Sequence, residues 1–426
     1  MKSAIAVLSF VLLFAGCASA ADISGKWELT ARVLNDVNYA RVTLKVDGEK
    51  VSGTLNEVTL EGTVTGDEVA FVATRPNGQR FGSFKGRVNG NDMRGTGSWP
   101  GVTGDITWVA RRAKERPGKP QVHRFEPVEF HRVFSDAIAP ALHIFPGDTV
   151  STWTVDAAGF DSKGDRKSLG GNPQTGPFYI EGAFPGDTLV ITLNKVRLNR
   201  DSAISSSRIA PTALTPAYVE RTRYQPDFDS DWALDRANGL ARLKNPSEHL
   251  KAYTVKLQPM LGCIAVAPPA HQSFRTGYPG VFGGNMDYNQ MREGTRVYLP
   301  VFVPGALLFV GDAHAAQGDG ELTGNALETS IDLEFSVELI TGRSTGSPRA
   351  ENAEYLMSSG IGNSLTDALQ LATTQLVTWL ETDYKLTPNE AAVVAGTAMR
   401  YDIAEVVDPL VHVVAKIPKE AIAKLK

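Results

Sequence analysis

The sequence predicts a mainly β protein with two units: a small antiparallel β-barrel or β-sandwich, then a larger unit of stacked β layers that ends in helices. Two observations carry this prediction. The chain of 426 residues contains 40 glycines and 24 prolines, which separate many short runs of alternating apolar and polar residues. A Pro-Gly-Asp turn motif also recurs before two such runs in the second unit.

Length and charge limit the function classes. A chain of 426 residues is long enough for two or three domains, each with its own core. The formal net charge is -4, and no run of basic residues stands out. We therefore expect no nucleic-acid partner, because nucleic-acid binding depends on clustered positive charge.

The N-terminus has the pattern of an exported protein. Lys2 precedes an apolar run and the small residues Ala18, Ser19 and Ala20, which predicts a signal peptide over residues 1–20. The run is too short for a transmembrane span, so we expect a secreted or periplasmic protein. Cys17 also lies in a lipoprotein-like cleavage box, and a lipid anchor at Cys17 in the cell envelope is the alternative.

Residues 22–112 form the first predicted unit. Short alternating segments recur at intervals of about ten residues, with hairpin signals such as Asp47-Gly48 and Asn89-Gly90 between them. The opening Gly25-Lys26-Trp27 resembles the start of lipocalin-like barrels. A binding role and a purely structural role both stay open for this unit. Residues 113–122, which carry charges and two prolines, indicate a linker, and residues 123–426 form the second domain.

Two similar sequence motifs lie in the first part of the second domain. Residues 144–150 read IFPGDTV and residues 183–189 read AFPGDTL, and each leads into an alternating run. A Pro-Gly-Asp turn that feeds a strand twice indicates stacked β layers built from similar units. Residues 198–250 are rich in polar and charged side chains, which indicates a long irregular excursion.

The segment 282–321 concentrates ligand-type side chains. Two predicted strands joined by a turn at Pro304-Gly305 separate two polar clusters. If the second strand stays extended beyond Gly311, Asp312 and His314 point to the same face and can hold a metal or act as an acid/base pair. Turn chemistry explains any one of these polar residues, but it does not explain the whole set. The set comprises Asn285, Asp287, Asp312, His314, Asp319 and Glu321.

Helices and a last strand are predicted at the C-terminus. Ser364 is a helix N-cap, with the helix running to Thr382, and Thr387 followed by Pro388 and Glu390 is a second helix start. Residues 411–417 form a final strand. Cys263 lies in an apolar run, which indicates a buried core residue rather than a nucleophile.

The second domain resembles the acetamidase/formamidase family over residues 129–422. The matching segments are PGDTV with the following VDAAGFD, TGPFYIEGAFPGDTL, GGNMD and LPVFVPGALLFVGDAHAAQGDGE. The resemblance implies a β-sandwich catalytic domain that hydrolyses small linear amides such as formamide or acetamide to a carboxylate and ammonia. It also implies a metal in some members and a dimer or larger homo-oligomer. The predicted signal peptide and the extra N-terminal unit depart from the usual family pattern.

The chemistry of the side chains suggests a mechanism. No credible nucleophile elbow and no credible Cys-His pair is identified in the sequence, so the expected nucleophile is a metal-activated water. The predicted ligands of a divalent metal are Asp156, Asp312 and His314, and Asp287 is either a further ligand or a residue that orients them. Zinc is favoured, and iron or manganese is also compatible. Glu321 or Glu181 is expected to move the proton, and Asn285 to bind the carbonyl oxygen.

Two alternatives stay open from the sequence. The same fold can serve a non-catalytic protein that binds a small molecule or an envelope partner. The hydrolytic machinery can also act on a larger or cyclic amide, or on an ester, since export is unusual for a nutritional formamidase.

Overall fold

The computed structural model describes residues 21–425, which divide into two compact units, one up to residue 114 and one from residue 115 onward. The predicted signal peptide and Cys17 lie outside the described residues. Within those residues, no helix is both long and apolar enough to cross a lipid bilayer.

The first unit is a closed antiparallel barrel. Its strands pair in chain order, and β1 pairs with β8 to close it. The strands are β1 (Gly25–Val33), β2 (Asp36–Asp47), β3 (Lys50–Leu55), β4 (Val58–Thr65), β5 (Glu68–Thr74), β6 (Arg80–Asn89), β7 (Asp92–Gly97) and β8 (Ile106–Arg112). Trp27, Phe84 and Trp108 belong to its buried apolar cluster. The prediction of a small barrel is confirmed, and its own side chains supply its core.

The second unit is built from many strands and a few helices. Its strands are β9 (Val122–Arg124), β10 (Val133–Phe134), β11 (Leu142–Ile144), β12 (Thr149–Thr154), β13 (Gln174–Ile180), β14 (Thr188–Leu198), β15 (Ser202–Ile204), β16 (Asp231–Asp235), β17 (Leu240–Leu243), β18 (Val255–Lys256), β19 (Met260–Ala265), β20 (Phe274–Arg275), β21 (Pro279–Gly280), β22 (Gly283–Asn285), β23 (Arg296–Pro300), β24 (Leu308–His314), β25 (Glu328–Thr329), β26 (Ile331–Ile340), β27 (Arg349–Glu351), β28 (Tyr355–Gly362), β29 (Arg400–Glu405) and β30 (Val411–Pro418). The helices are α1 (Pro216–Thr222), α2 (Leu365–Tyr384), α3 (Pro388–Ala398) and α4 (Lys419–Ile422), with 3₁₀ turns at Pro211–Ala213, Glu248–Leu250 and Pro269–His271.

Two large sheets form a sandwich in this unit. The eleven-stranded sheet runs in the order β18-β17-β16-β15-β25-β24-β19-β22-β21, and β13 pairs with both β24 and β11 beside that path. The nine-stranded sheet runs in the order β29-β30-β28-β27-β23-β14-β26-β12-β9. The main apolar cluster draws on both sheets, and Phe178 of the first packs edge-on against Phe335 of the second at 5.2 Å. The mainly β architecture is therefore confirmed.

The predicted strand-turn-strand unit around Pro304-Gly305 is not a hairpin. Its first strand, β23, pairs in the nine-stranded sheet, whereas its second strand, β24, pairs in the eleven-stranded sheet. The chain crosses between the layers through Ala306 and Leu307, which both have positive φ. Both strands are apolar on both faces, so the sequence pattern did not distinguish a hairpin from a crossover.

Residues 198–250 are also more regular than predicted. Strands β15, β16 and β17 extend the eleven-stranded sheet, and β15 pairs with β25. Trp232 and Leu234 are buried in a small apolar cluster there. The expectation of a long irregular excursion was wrong. These strands are short and are separated by polar turns, so their pattern was not recognised in the sequence.

The predicted C-terminal helices are confirmed. The Ser364 side chain accepts from the backbone amide of Asp367 at the start of α2, and Thr387 and Glu390 form a capping box at the start of α3. Buried residues of α2, such as Leu376 and Trp379, join an apolar cluster with strand β30. The helices therefore cover part of the nine-stranded sheet.

The two Pro-Gly-Asp motifs form turns. Asp148 accepts a hydrogen bond from the backbone amide of Phe145, and Asp187 accepts one from Phe184, so each aspartate closes its own turn. Asp148 also pairs with Arg116 and His123 and accepts from the amide of Gln121. These contacts attach the end of the predicted linker to the second unit.

Replacing Asp148 with alanine is expected to lower the free energy of unfolding by roughly 3 kcal/mol. The change leaves two backbone amides, the Arg116 guanidinium and the His123 ring without their buried acceptor. Denaturant unfolding measures the effect. The control is Asp165→Ala, since the salt bridge from Asp165 to Lys167 is exposed and its loss changes stability by less than about 1 kcal/mol. Equal stability of the two variants would contradict the role of Asp148.

Candidate metal centre and active site

Four strands of the eleven-stranded sheet position the site. Strands β19 and β24 pair with Met260 opposite His314 and Cys263 opposite Gly311, and β25 pairs with β24 so that Glu328 lies opposite His314. Strand β22, which ends at Asn285, pairs with the other edge of β19. The site therefore collects side chains that are far apart in the sequence.

Asp312 and His314 approach each other by a route that differs from the predicted one. Asp312 has φ of 55°, so β24 is not fully extended there. Its Oδ1 nevertheless lies 3.6 Å from Nε2 of His314. Asp287, φ 41°, and Glu321, φ 45°, are also left-handed. Such a backbone costs free energy for non-glycine residues, and it is typical of functional sites that the surrounding structure holds in place.

Three buried acceptor atoms converge without hydrogen-bond partners. They are Oδ1 of Asp287, Oδ1 of Asp312 and Nε2 of His314. The three residues form a group whose candidate ligand atoms all lie within 4.8 Å of one another. Because an unsatisfied buried polar atom costs about 1–3 kcal/mol, three that converge indicate a site suited to a shared cation. The donor set of two carboxylates and one imidazole fits a divalent metal ion.

Hydrogen bonds fix the orientation of the imidazole. The Gln317 side-chain NH₂ donates to the backbone carbonyls of Asp287 and Ala404, so its Oε1 is left to accept from Nδ1 of His314 at 2.9 Å. Nδ1 of His314 is then protonated, which leaves Nε2 as the nitrogen that can bind a metal ion. Metal-binding histidines are commonly oriented in this way, by a hydrogen bond from the ring nitrogen that does not contact the metal.

Two asparagines hold the other oxygens of the carboxylates. Asn285 donates to Oδ2 of Asp287 and to Oδ2 of Asp408, and Asn172 donates to Oδ2 of Asp312 at 3.1 Å. Each ligand carboxylate is thus held through one oxygen, and the other oxygen faces the cluster. Asn285 was predicted to bind a carbonyl oxygen. In the structure its side-chain NH₂ instead donates to the carboxylates of Asp287 and Asp408.

Glu328 is a further acid beside His314, and the sequence analysis did not identify it. Its Oε1 lies 3.2 Å from Nε2 of His314, and His314, Glu321 and Glu328 form another metal-competent group. Glu328 stands alone at the start of a two-residue strand, and a single carboxylate in such a context carries no distinctive pattern. Asp408, Asn172 and Gln317 were missed for the same reason.

The electrostatics of the cluster favour a bound cation. Burial raises the pKa of Asp287, and the Glu321 and Asp312 carboxylates raise it further, well above its usual range. Burial also raises the pKa of Glu321 well above normal. Burial by itself lowers the pKa of His314, but the Glu328 and Asp312 carboxylates outweigh it and raise this pKa well above its usual value. Crowded buried carboxylates of this kind are stabilised by positive charge, which a metal ion provides.

Two more acids lie at the β29–β30 connection. Burial raises the pKa of Asp408 to about 7, although the hydrogen bond from Asn285 opposes the shift. Burial and the nearby Asp408 charge raise the pKa of Glu405 to about 8. Asp408 also lines a cavity of about 610 Å³ together with Asn172, Asn285, Asp312, Glu321 and Glu328. A ligand in this cavity therefore meets a carboxyl group that exchanges its proton near neutral pH.

Three predicted site residues lie elsewhere, which corrects the sequence-based assignment. Asp156 pairs with Arg200 at 2.6 Å, and its other oxygen accepts from backbone amides of its own loop, so it is not in either metal-competent group. Glu181 pairs with His143. Gln174, at the start of β13, pairs with Gly311 of β24 beside the site, and Glu181 comes seven residues later, just after the far end of β13. Seven residues span roughly 20 Å at the rise of a strand. Asp319 is exposed and bonds to Asn289, whereas Glu321 is buried.

Cys263 is buried and free, as predicted. Burial raises the pKa of its thiol well above the usual value, and the charge of Asp312 raises it further. Its Sγ donates to Oδ1 of Asn285 at 2.7 Å. The protonated thiol therefore helps to orient Asn285, and it is poorly suited to act as a nucleophile.

The fold and the buried cluster define a class: a β-sandwich protein with a buried carboxylate–histidine cluster that can hold a metal ion, and with a polar cavity that shares Asp312 with this cluster. The sequence model of the acetamidase/formamidase family matches residues 242–422. An acetamidase structure from Yersinia enterocolitica is 30% identical with a TM-score of 0.61, and the match covers 72% of this chain and 95% of that one. An acetamidase structure from Bacillus halodurans is 26% identical with a TM-score of 0.60, covering 71% and 99%.

The chain belongs to the acetamidase/formamidase family. A formamidase of Methylophilus methylotrophus is 28% identical over 211 residues, which are 39% of this chain and 51% of that protein. The chain spans about half the length, or less, of the curated relatives that it matches. The barrel of residues 25–112 lies outside the region that the family model matches.

Acidification is expected to destabilise the protein through His412, a fully buried residue behind the site. Burial lowers the pKa of His412 to about 4, and its Nδ1 contacts the carbonyl of Met286. The unfolded chain, with a histidine pKa near 6.5, binds more protons between pH 6.5 and 4, so stability falls as the pH decreases through that window. Between pH 7 and pH 5 the loss is roughly 2 kcal/mol at about 1.4 kcal/mol per pH unit.

The variant His412→Gln tests this contribution. Urea unfolding of both metal-free proteins at pH 7, 6 and 5 gives the two pH slopes, and metal removal keeps metal release out of the comparison. The variant is expected to lose less stability than the wild type on acidification. Parallel slopes would contradict the prediction.

Proposed function

We propose that the protein hydrolyses a linear amide to a carboxylate and ammonia, with a divalent metal held by Asp287, Asp312 and His314. The observation that carries this proposal is the convergence of three buried acceptor atoms without hydrogen-bond partners. Glu321 and Glu328 form a second metal-competent group with the same histidine and offer further donors. Carboxylate and imidazole donors suit zinc, and also iron or manganese.

The protein's side chains divide the remaining work. A divalent ion at this position supplies Lewis acidity and lowers the pKa of a bound water molecule. Gln317 keeps Nε2 of His314 available, and the two asparagines keep one oxygen of each ligand carboxylate turned inward. These hydrogen bonds preorganise the site before the substrate enters.

Proton transfer is assigned to the acids that line the cavity. A departing amine needs a proton, and an acid with a pKa near the working pH delivers and recovers one most effectively. Asp408, with a pKa of about 7, meets that condition and lines the cavity. Glu321, with its raised pKa, is the second candidate, and Glu181 has no part in this proposal. The variants Asp408→Asn and Glu321→Gln separate the two through their pH profiles of kcat.

The size of the cavity favours a substrate larger than formamide or acetamide. Its volume of about 610 Å³ lies within the range that holds drug-sized ligands. A one- or two-carbon amide fills only a small part of such a space. A longer or cyclic amide is therefore the second candidate substrate of the same machinery.

The test is metal analysis combined with an ammonia-release assay. The protein is purified without chelator or affinity metal and assayed on formamide, acetamide and a series of longer amides. Near-stoichiometric metal with ammonia release that a chelator abolishes is the expected result, and the series ranks the substrates. Protein that contains metal but is inert to every amide would point to another hydrolysable bond. Protein with neither metal nor turnover would overturn the proposal in favour of a binding protein.

The N-terminal sequence supports export as a further proposal. Cell fractionation tests this proposal, since an exported protein is expected in the periplasm, the medium or the membrane fraction. Recovery in the membrane fraction would indicate lipidation at Cys17. The homo-oligomer stays a prediction, which light scattering of the purified protein tests.

A further inference from the structure

A second cavity, of about 780 Å³, lies between the nine-stranded sheet and helix α2. Arg349 of β27, Tyr298 of β23, Trp379 of α2 and Thr345 of the preceding loop are among its lining residues. It shares no lining residue with the cavity over the metal centre. Its chemistry is therefore separate from that of the proposed active site.

Arg349 brings a buried positive charge to this cavity. The residue is 7% exposed, and its guanidinium lies 5.1 Å from the ring centroid of Trp379. One terminal nitrogen donates to Oε1 of Gln375 at 3.5 Å, and Nε has no hydrogen-bond partner. Among residues 21–425, no carboxylate forms an ion pair with Arg349. The contact with Trp379 offsets only part of the cost of burying this charge.

The acids around the cavity already have partners. Glu351 pairs with Arg296 at 3.3 Å and with Lys419 at 2.7 Å, and it also accepts from the hydroxyl of Tyr298. Asp383 pairs with Arg343 and accepts from Nε1 of Trp379. The lining residues include three arginines and two acids, so the cavity carries a formal charge of +1. Of the three lining arginines, Arg349 is the one that forms no ion pair with either acid, although the charge of Asp383 acts on it from beyond ion-pair distance.

A second unpartnered polar group lines the same cavity. The Oγ1 of Thr345 is buried and has no hydrogen-bond partner, although the backbone amide of Thr345 is satisfied by the hydroxyl of Thr188. A guanidinium edge and a hydroxyl are two donors that a planar or tetrahedral oxyanion accepts from. The two unsatisfied groups thus call for the same kind of ligand.

We propose that this cavity binds a small oxyanion, a carboxylate or a phosphate group, with Arg349 as its main anchor and Thr345 as a second donor. Burial lowers the pKa of Arg349 to about 10, so the side chain stays charged at neutral pH. An oxyanion neutralises the unpaired charge and occupies the free Nε edge of the guanidinium. The site is independent of amide hydrolysis.

Isothermal titration of the whole protein with inorganic phosphate and, separately, with benzoate tests the proposal. The buffer is HEPES with chloride as the only other anion. Saturable binding of at least one probe is expected, with at least tenfold weaker binding in Arg349→Gln. Binding of phosphate alone identifies a phosphate-bearing ligand, benzoate alone identifies a carboxylate, and both outcomes support the site.

Two further variants keep the result interpretable. Arg349→Lys retains the charge but loses the Nε edge, and it replaces Arg349→Gln if that variant does not fold. Arg242→Gln, at an exposed position on β17 outside this cavity, is the matched control and is expected to bind like the wild type. Absence of saturable binding by the wild type, or equal binding by both Arg349 variants and the wild type, would overturn the proposal.

Discussion

Replacing His314 with glutamine is expected to release the bound metal and to lower amide hydrolysis more than about 100-fold. Loss of a group that merely orients a metal ligand typically costs roughly 10–100-fold, and loss of the ligand itself costs more. Nε2 of His314 lies between Oδ1 of Asp312 at 3.6 Å and Oε1 of Glu328 at 3.2 Å, so both metal-competent groups depend on it. Glutamine retains much of the volume, which limits damage to the buried fold.

The measurement compares metal content and kcat/KM with circular dichroism as a check of folding. Gln317→Ala, which removes the hydrogen bond to Nδ1 together with those to the carbonyls of Asp287 and Ala404, is expected to give an intermediate loss of roughly 10–100-fold. His249→Gln, at an exposed histidine outside both groups, is the matched control and leaves metal and activity unchanged. A folded His314→Gln protein with full metal and full turnover would rule out the proposed centre.

The second large effect is expected at a residue with no side chain. Gly262 lies on β19 beneath the two ligand carboxylates, and a Cβ added there would be 2.3 Å from Oδ1 of Asp287 and 2.7 Å from Oδ2 of Asp312. Carbon–oxygen contacts this short do not occur in stable structures, so at least one carboxylate must move by about 1 Å. A displacement of about 1 Å in a catalytic site can cost roughly 100-fold in rate.

Gly262→Ala is therefore expected to lose about 100-fold in kcat/KM and to bind metal more weakly, while the sandwich remains folded. Gly318→Ala is the control, because a Cβ at Gly318 meets nothing within 4 Å. Calorimetric metal titration of both variants separates a defect in the metal site from a general loss of stability. Wild-type metal affinity in Gly262→Ala would mean that the two carboxylates do not act together.

Part of the site could be predicted from the sequence because its residues share one strand or one short segment. Asp312 and His314 lie two residues apart on β24, and Asp287 follows the strand that pairs with β19. Glu328 and Asp408 come from separate strands and connections, and only the sheet pairing and the β29–β30 connection bring them to His314 and Asn285. No local spacing reports such convergence.

The misassigned carboxylates show a second limit of sequence reasoning. Asp156 and Glu181 lie near the two Pro-Gly-Asp motifs. A carboxylate at such a position can either bind a metal or form hydrogen bonds and ion pairs that stabilise the fold. In the structure Asp156 satisfies Arg200 and its own loop amides, and Glu181 satisfies His143. The sequence supplied the ligand types, but hydrogen-bond competition decided which carboxylates remained available.

The sequence by itself determined the local structure: the hairpins of the barrel, the aspartate-closed turns, the capped helices and the pair of ligands on β24. These features depend on side-chain chemistry within a few residues, which composition and spacing report directly. The tertiary structure decided which sheet each apolar strand joined, and with it which acids surround His314 and where Arg349 is buried. Those outcomes depend on packing between strands that are far apart in the chain. An apolar residue in one strand does not specify which distant strand it will pack against.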